Sequence, residues 1–154
     1  MPSICIQTDW GPFTLSAQQD ALTHLYLPQQ PAPMADHTAT PLLSEAAEQL
    51  LAYLSGRLRY FSLPLAPSGT AFERRVWAAL CDIPFGETRS YSEVACQIGA
   101  PRACRAVGRA GGKNPLPVFV PCHRMIGKNG TLTGYAGGLM LKQRLLALET
   151  EEHI

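Results

Sequence analysis

Three short helices, predicted in quick succession, constrain the fold of this 154-residue chain more than any other feature. Residues 70–73 and 90–93 both have the spacing of a capping box, in which a hydroxyl and a carboxylate three positions apart close the start of a helix. Gly99 ends the second helix, and Pro101 begins a third helix that stops at Gly112. A helix, a short turn with glycine and another helix form the pattern of a helix-turn-helix element.

The third helix has two unlike faces. Small and apolar side chains recur on one face at helical spacing, and guanidinium groups recur on the other. The first face carries Ala103, Ala106, Val107 and Ala110, and the second carries Arg102, Arg105 and Arg109. Such a helix can dock closely against nucleic-acid phosphates or push one side chain into a groove. A solvated basic face is the alternative.

Residues 120–124, Val-Pro-Cys-His-Arg, carry the strongest chemical signal, because an apolar run stops there at a proline. Cys122 follows the proline, with His123 and Arg124 directly behind it. A thiol attacks as the thiolate, and nearby cations or a histidine lower its pKa. The segment therefore favours a cysteine nucleophile. A buried cysteine that only packs is the alternative.

The residues around this segment predict its setting. Residues 116–120 form an apolar run that predicts a buried strand with Cys122 at its end, and residues 127–138 predict a glycine-rich wing over the site. A last helix spans residues 139–149, and Glu149 near its C-terminal end opposes the helix dipole. His123 is the candidate partner that would compensate for this unfavourable interaction with the dipole. A solvated acidic tail is the alternative.

The N-terminal part predicts a smaller unit of strands and one helix. Short β-favouring runs separated by turn residues predict an antiparallel sheet, with strands at residues 4–7, 13–16 and 21–27. An amphipathic helix that begins at Pro41 and ends at Gly56 would cover this sheet. We therefore predict an α+β fold with an N-terminal domain at residues 1–65 and a C-terminal domain at residues 69–154.

Charge and cysteine content narrow the function classes. Residues 1–69 hold two basic and five acidic side chains, whereas residues 89–144 hold nine basic side chains and one acidic side chain, Glu93. This one-sided field would attract a polyanion such as nucleic acid. The five cysteines lack paired spacing, which indicates reduced thiols in a cytosolic protein. No stretch has the pattern of an export signal or a membrane span, so we expect neither.

Several separate motifs agree in order and spacing over residues 69–149. They are Gly-Thr-Ala-Phe at 69–72, Ile-Pro-Phe-Gly-Glu-Thr at 83–88, Ser-Tyr at 90–91, Arg-Ala-Val-Gly at 105–108, Asn-Pro at 114–115, Pro-Cys-His-Arg at 121–124 and Gly-Tyr-Ala-Gly-Gly at 134–138. Together they resemble the O6-alkylguanine-DNA alkyltransferases, also called methylated-DNA-protein-cysteine methyltransferases. The resemblance implies an RNase H-like N-terminal domain and a winged helix-turn-helix C-terminal domain.

The resemblance also implies a single-use DNA repair methyltransferase. Cys122 would take the alkyl group from O6-alkylguanine irreversibly and without a cofactor, and activity on O4-alkylthymine is left open. His123 would withdraw the thiol proton through a water, and Glu149 would hold the imidazole in the useful tautomer. Asn114 would brace the turn that carries the cysteine. Tyr91 would donate a hydrogen bond to the departing guanine.

The resemblance further implies how double-stranded DNA would be bound. The second helix of the helix-turn-helix would enter the minor groove, and Arg105 would fill the gap left by a flipped base. Other DNA contacts are expected from Arg102, Ala103, Ala106, Arg109 and Tyr91. The pocket for the base would be lined by Val120, Pro121, Tyr135, Ala136 and Gly137. We expect a cytoplasmic, nucleoid-associated monomer, with cooperative binding along DNA left open.

The sequence departs from the family pattern at some positions, and other functions are alternatives to this hypothesis. Cys5 and His24 are too few for the structural zinc site of some relatives, so no metal is predicted. Ala136 stands where some members have serine, which removes one side-chain hydrogen bond to the guanine oxygen. The main alternative is a non-catalytic lesion-binding protein, but such relatives replace the reactive cysteine, and Cys122 is present. A transcriptional regulator and a cysteine hydrolase are further alternatives.

Overall fold

A computed structural model of the protein describes residues 1–132, 134–135 and 137–150. The strands and helices follow in the order β1 (Ser3–Thr8), β2 (Gly11–Gln18), β3 (Ala21–Tyr26), α1 (Pro41–Leu54), α2 (Ala71–Cys81), β4 (Arg89–Ser90), α3 (Tyr91–Gln97), α4 (Cys104–Gly112), β5 (Met125–Ile126) and α5 (Leu139–Thr150). Two short 3-10 turns, Cys122–Arg124 and Lys128–Gly130, lie on either side of β5.

The N-terminal strands form the predicted antiparallel sheet. Strand β2 lies between β1 and β3, and residues 13–17 in its middle are all buried. Helix α1 covers the sheet with a stripe that includes Leu43, Ala46 and Leu50. The Thr40 side chain accepts a hydrogen bond from the Leu43 N–H, so the helix begins as its sequence predicts.

The segment after α1 connects the two halves by pairing with the sheet. The Leu22 N–H donates to the Pro64 carbonyl (2.9 Å), and the Ala66 N–H donates to the Leu22 carbonyl (2.8 Å). From the C-terminal half, the Pro115 carbonyl accepts a hydrogen bond from the Leu25 N–H (2.8 Å). Strand β3 is therefore a common support for both halves.

The helix-turn-helix pattern is confirmed, with one change in its bounds. Both capping boxes are formed, at the starts of α2 and α3. Helix α4 begins at Cys104, three residues after the predicted start at Pro101. The Ala103 N–H donates to the Ala100 carbonyl (2.9 Å), so residues 100–103 form a separate turn before the helix. The Trp77 indole then donates to the Ala110 carbonyl (2.8 Å) and fixes α4 on α2.

The prediction of a strand at residues 116–120 is wrong. The Val120 N–H donates to the Leu116 carbonyl (2.8 Å), which closes a compact turn. Val118 has a φ of 75°, in the left-handed region that a β-branched residue rarely adopts. Such a conformation costs about 1–3 kcal/mol and persists only where the surroundings enforce it. The apolar run is buried because the turn itself is buried.

The segment after the cysteine folds back as a tight turn. Asn129 and Gly130 have φ values of 63° and 78°, as the Asn-Gly pair predicts. Strand β5 pairs with β4, the two-residue strand before α3. Among the described residues, no helix has the length and apolar character that crossing a membrane requires.

Candidate active site

The cysteine lies at the start of a short helical turn and is held there by a buried asparagine. Cys122 is 8% exposed, and its N–H donates to the Val120 carbonyl (2.7 Å). The Asn114 side chain donates to that same carbonyl (2.9 Å) and accepts from the Leu116 N–H (2.9 Å). Asn114 thereby joins both ends of the turn that contains the strained Val118. The thiol is presented by a rigid backbone rather than by a loop end.

Behind the cysteine lies a buried cluster that we call the Glu149 network, made of Tyr53, His123, Arg124 and Glu149. His123 Nε2 is 2.8 Å from Glu149 Oε2. Arg124 donates from Nε to Oε1 and from Nη2 to Oε2, both at 2.8 Å. The Tyr53 hydroxyl donates to Oε2 at 2.5 Å. The solvated acidic tail is therefore excluded for Glu149, which is 5% exposed.

The network fixes which nitrogen of the imidazole can accept a proton. A carboxylate only accepts hydrogen bonds, so the short contact to Glu149 requires the hydrogen of His123 on Nε2. Nδ1 then carries the lone pair, and this buried atom has no hydrogen-bond partner among the described residues. Burial lowers the pKa of His123, so the ring is neutral near pH 7. The arrangement leaves a free base beside the cysteine in sequence.

The carboxylate is ionised despite its burial. Burial alone would raise the pKa of Glu149, but hydrogen bonds from His123, Arg124 and Tyr53 outweigh it and lower the pKa to about 2. Arg124 also donates from Nη1 to the Ile83 carbonyl (2.7 Å) and lies over the Phe85 ring. The ion pair therefore has the additional hydrogen bonds that a buried pair of charges needs.

The thiol itself is protonated at rest and faces a buried lysine. Burial raises the pKa of Cys122, while Asn114, Lys142 and Tyr135 act in the opposite direction. Lys142 is 1% exposed, and its Nζ donates to the Met125 carbonyl (2.8 Å). A fixed ammonium near the sulfur stabilises the thiolate once the proton has left. Deprotonation by a nearby base is therefore required for attack.

Tyr53 and Lys142 are parts of the site that were not predicted from the sequence. Lys142 lies three residues before Leu145 and seven before Glu149, so helical periodicity alone places it on the buried face of α5. Tyr53 gave no comparable signal, because it lies 96 residues before Glu149 and matches the apolar stripe of α1.

A small cavity lies beside the thiol. It is lined by Tyr91, Gly108, Gly111, Gly112, Cys122, Met125, Gly134, Tyr135 and Lys142. Its volume is about 20 Å³, which is room for one water molecule. The Tyr135 hydroxyl is buried beside the sulfur without a well-formed hydrogen bond to any described residue. In this arrangement the cavity is too small for a purine.

Three of the other residues expected in the base pocket line different cavities in this arrangement. Gly137 lines a separate cavity of about 340 Å³ together with Trp10 and Arg144. Val120 and Pro121 line cavities that Cys81 also borders, rather than the one beside the thiol. Ala136 lies outside the described residues. Of the four expected pocket residues that the structure describes, Tyr135 is the one that lines the thiol cavity.

Helix α4 carries the arginine face, which we define as Arg102, Arg105 and Arg109 with Arg102 in the turn before the helix. All three side chains are exposed, whereas Ala103 and Ala106 are half-buried and Val107 and Ala110 are buried. Tyr91 opens helix α3 and lies under Gly108 of α4, where an added Cβ would be 3.7 Å from its ring. Helix α4 therefore carries exposed arginines on one side and lines the thiol cavity on the other.

The site contains the groups that covalent thiol chemistry uses. The described residues contain no group of three or more histidine, cysteine or acidic side chains that could hold a metal ion. The site has instead one nucleophile, one base with a defined lone pair and one ionised carboxylate. Such a set activates a thiol for covalent transfer.

Two family models match the chain. The model of the 6-O-methylguanine DNA methyltransferase ribonuclease-like domain matches residues 4–67. The model of the 6-O-methylguanine DNA methyltransferase DNA binding domain matches residues 71–151. Together they span both halves of the fold.

Relatives match over nearly the whole length. The chain is 49% identical over 150 residues to the methylated-DNA--protein-cysteine methyltransferase of Methanosarcina barkeri, with 94% of each chain covered. It is 45% identical over 151 residues to the constitutive methylated-DNA--protein-cysteine methyltransferase of Bacillus subtilis, covering 93% of this chain and 92% of that protein. The crystal structure of Mycobacterium tuberculosis OGT in complex with DNA superposes with a TM-score of 0.90 at 47% identity, over 97% of this chain and 93% of that one.

Proposed function

Since the chain belongs to the 6-O-methylguanine DNA methyltransferase family, we propose that it repairs DNA by moving an alkyl group from O6 of guanine to its own Cys122. The observation that carries this proposal is the buried thiol, which follows a strained, braced turn and precedes a histidine whose free lone pair is fixed by Glu149. DNA is the partner that suits the exposed arginine face.

The transfer can be written with every bond and proton accounted for. His123 Nδ1, whose lone pair has no hydrogen-bond partner among the described residues, accepts the thiol proton through one water molecule. The sulfur then attacks the alkyl carbon, the bond from that carbon to O6 breaks, and its electron pair stays on the guanine. Tyr91, in the wall of the thiol cavity, donates a hydrogen bond to the guanine as this charge develops. The product is a thioether at Cys122, so each molecule acts once and needs no cofactor.

The lesion must leave the base stack to reach the sulfur, because O6 lies inside the duplex. Arg105 is exposed on α4, next to the wall shared with the thiol cavity, and is the side chain that would enter the stack. Arg102 and Arg109 would hold phosphates, while Ala103 and Ala106 allow the helix to approach the minor groove closely. The cavity of about 20 Å³ must widen to admit the base, and Gly134 is one of the exposed residues in its lining.

The proposal also extends to localisation, oligomeric state, domain bounds and the full base pocket. We place the protein in the cytoplasm as a monomer, associated with the nucleoid through DNA. The division into domains at 1–65 and 69–154, and a pocket that includes Val120, Pro121 and Gly137 once the base is bound, stay predictions.

The proposal is tested by weighing the intact protein after incubation with a duplex that carries O6-methylguanine. We expect a gain of one methyl group per molecule, mapped to Cys122, and none in the Cys122→Ala variant. Cys96→Ala is the matched control, since Cys96 is an exposed thiol on α3 and should leave the transfer intact. Binding of the duplex without any change in mass would indicate a lesion sensor instead.

A further inference from the structure

We propose that Tyr53, on helix α1 of the N-terminal half, is a positioning residue for the alkyl transfer, because its hydroxyl orients the Glu149 carboxylate that sets the His123 tautomer. The inference rests on the function proposed above. It makes the N-terminal half a contributor to the reaction rather than only a support for the DNA-binding half.

The first argument is the place of the hydroxyl. Tyr53 lies in the last turn of α1 and is 1% exposed. Its ring contacts Phe61 (5.2 Å between ring centroids) and stands edge-on to Phe85 (6.4 Å). Packing of the ring would be satisfied equally well by phenylalanine. The hydroxyl is therefore the part of this side chain that packing does not explain.

The second argument is the geometry around Glu149. Arg124 donates to both carboxylate oxygens, through Nε and Nη2, and His123 and Tyr53 both donate to Oε2. The Tyr53 hydroxyl is also 3.5 Å from His123 Nε2, which is the separation expected of two donors that share one acceptor. The phenol thus limits the orientations open to Oε2 and competes with the imidazole for it.

This competition for Oε2 has an electrostatic effect on the protonation of His123. A donor on Oε2 makes the carboxylate less basic, and a less basic carboxylate stabilises the imidazolium less. Tyr53 therefore lowers the pH below which His123 becomes protonated and can no longer accept the thiol proton. The charged and titratable groups around the imidazole are Tyr53 from α1, Cys122 and Arg124 from its own turn, Tyr135 from the segment before α5, and Lys142 and Glu149 from α5.

The test is the Tyr53→Phe variant, measured as the single-turnover rate of methyl transfer to Cys122 from duplex O6-methylguanine between pH 5 and pH 9. We expect the rate at neutral pH to fall about tenfold, since a hydrogen bond to a charged group is lost from the network. We expect the acid limb of the pH profile to move to higher pH, because His123 becomes easier to protonate. Affinity for the duplex should stay unchanged.

Two controls separate positioning from structure. Tyr60→Phe removes a hydroxyl from an exposed tyrosine of the same half, and should change neither the rate nor the acid limb. Phe13→Leu weakens the N-terminal core at a side chain that has no polar group to offer the Glu149 network, and should lower the unfolding temperature without moving the acid limb. An acid limb that moves in Phe13→Leu as it does in Tyr53→Phe would overturn the proposal.

A second measurement keeps the test informative should Tyr53→Phe fold poorly. Fluorotyrosine at position 53 preserves the shape of the ring but is a stronger hydrogen-bond donor, so the acid limb should move to lower pH. An unchanged rate and acid limb in these variants, with normal transfer by the unaltered protein, would overturn the role of Tyr53 alone. Absence of transfer in the unaltered protein would instead overturn the proposed function.

Discussion

The Glu149 network and the arginine face use the same kinds of charged side chain in opposite ways. In the network, Arg124 is buried and donates hydrogen bonds to Glu149 and to the Ile83 carbonyl. On helix α4, Arg105 and Arg109 extend into solvent from a helix of small residues. One region is already organised before DNA arrives, and the other is complete only with a polyanion. Chemistry and recognition are thus separated by burial, although helix α4 borders both.

Replacement of Glu149 should show the largest difference between the two regions. In Glu149→Gln the imidazole loses its charged partner, and we expect the rate of methyl transfer to fall about 100-fold or more. The single-turnover rate on duplex O6-methylguanine measures this. Glu87→Gln, which removes the exposed ion pair with Arg89 instead, should leave the rate unchanged. A similar loss in both variants would remove the distinction between buried and exposed charge.

Acid should destabilise the protein through the network. The pKa of Glu149 is lowered from 4.5 to about 2 in the folded chain. The ionised carboxylate therefore stabilises the fold fully above about pH 4.5, and this stabilisation is lost as the pH falls towards 2. A shift of this size corresponds to about 3 kcal/mol of unfolding free energy. Burial also lowers the pKa of His123 from 6.5, so this residue adds to the loss of stability as the pH falls below 6.5.

Urea unfolding at pH 7 and at pH 3 measures this contribution. Glu149→Gln should be less stable than the unaltered protein at pH 7, because Arg124 is left buried without its partner. The gap between the two proteins should narrow at pH 3. A gap that stays constant with pH would show that the carboxylate is not ionised in the fold.

Replacement of Arg105 should affect recognition and leave the chemistry intact. We expect Arg105→Ala to repair duplex O6-methylguanine about tenfold more slowly, while its reaction with free O6-benzylguanine changes little. Arg102→Ala is the matched control on the same face: it should weaken duplex binding evenly and reduce the salt dependence of binding by about one unit of slope. Equal losses of Arg105→Ala on duplex and free base would contradict a role in flipping.

The parts of the fold that local chemistry determines could be predicted from the sequence. Both capping boxes, the small sheet and the Asn129-Gly130 turn depend on residues a few positions apart, and all are confirmed. Residues 116–120 could not be predicted, because a buried turn and a buried strand are equally apolar. The turn requires Val118 to adopt a left-handed backbone conformation, which the intrinsic preference of valine disfavours. The hydrogen bonds of Asn114 support that conformation.

The candidate site shows the same limit. Cys122 and His123 were identified as neighbours in sequence, and the dipole argument pointed to Glu149. The contact between Tyr53 and Glu149 joins residues 96 positions apart through a side chain that looks like ordinary core. Only the three-dimensional packing of α1 against the C-terminal half reveals it.

The narrow space around Cys122 has a consequence for a molecule that can be used only once. Waste of the sulfur on an oxidant or a stray electrophile would be as final as repair. A thiol that is 8% exposed, with a neighbouring void of about 20 Å³ and a raised pKa, stays inert towards bulky reagents in the idle protein. The exposed thiols of Cys5, Cys81 and Cys96 meet such reagents first. Tight packing around the Cys122 sulfur thus protects it from side reactions, so each protein molecule stays able to react for longer.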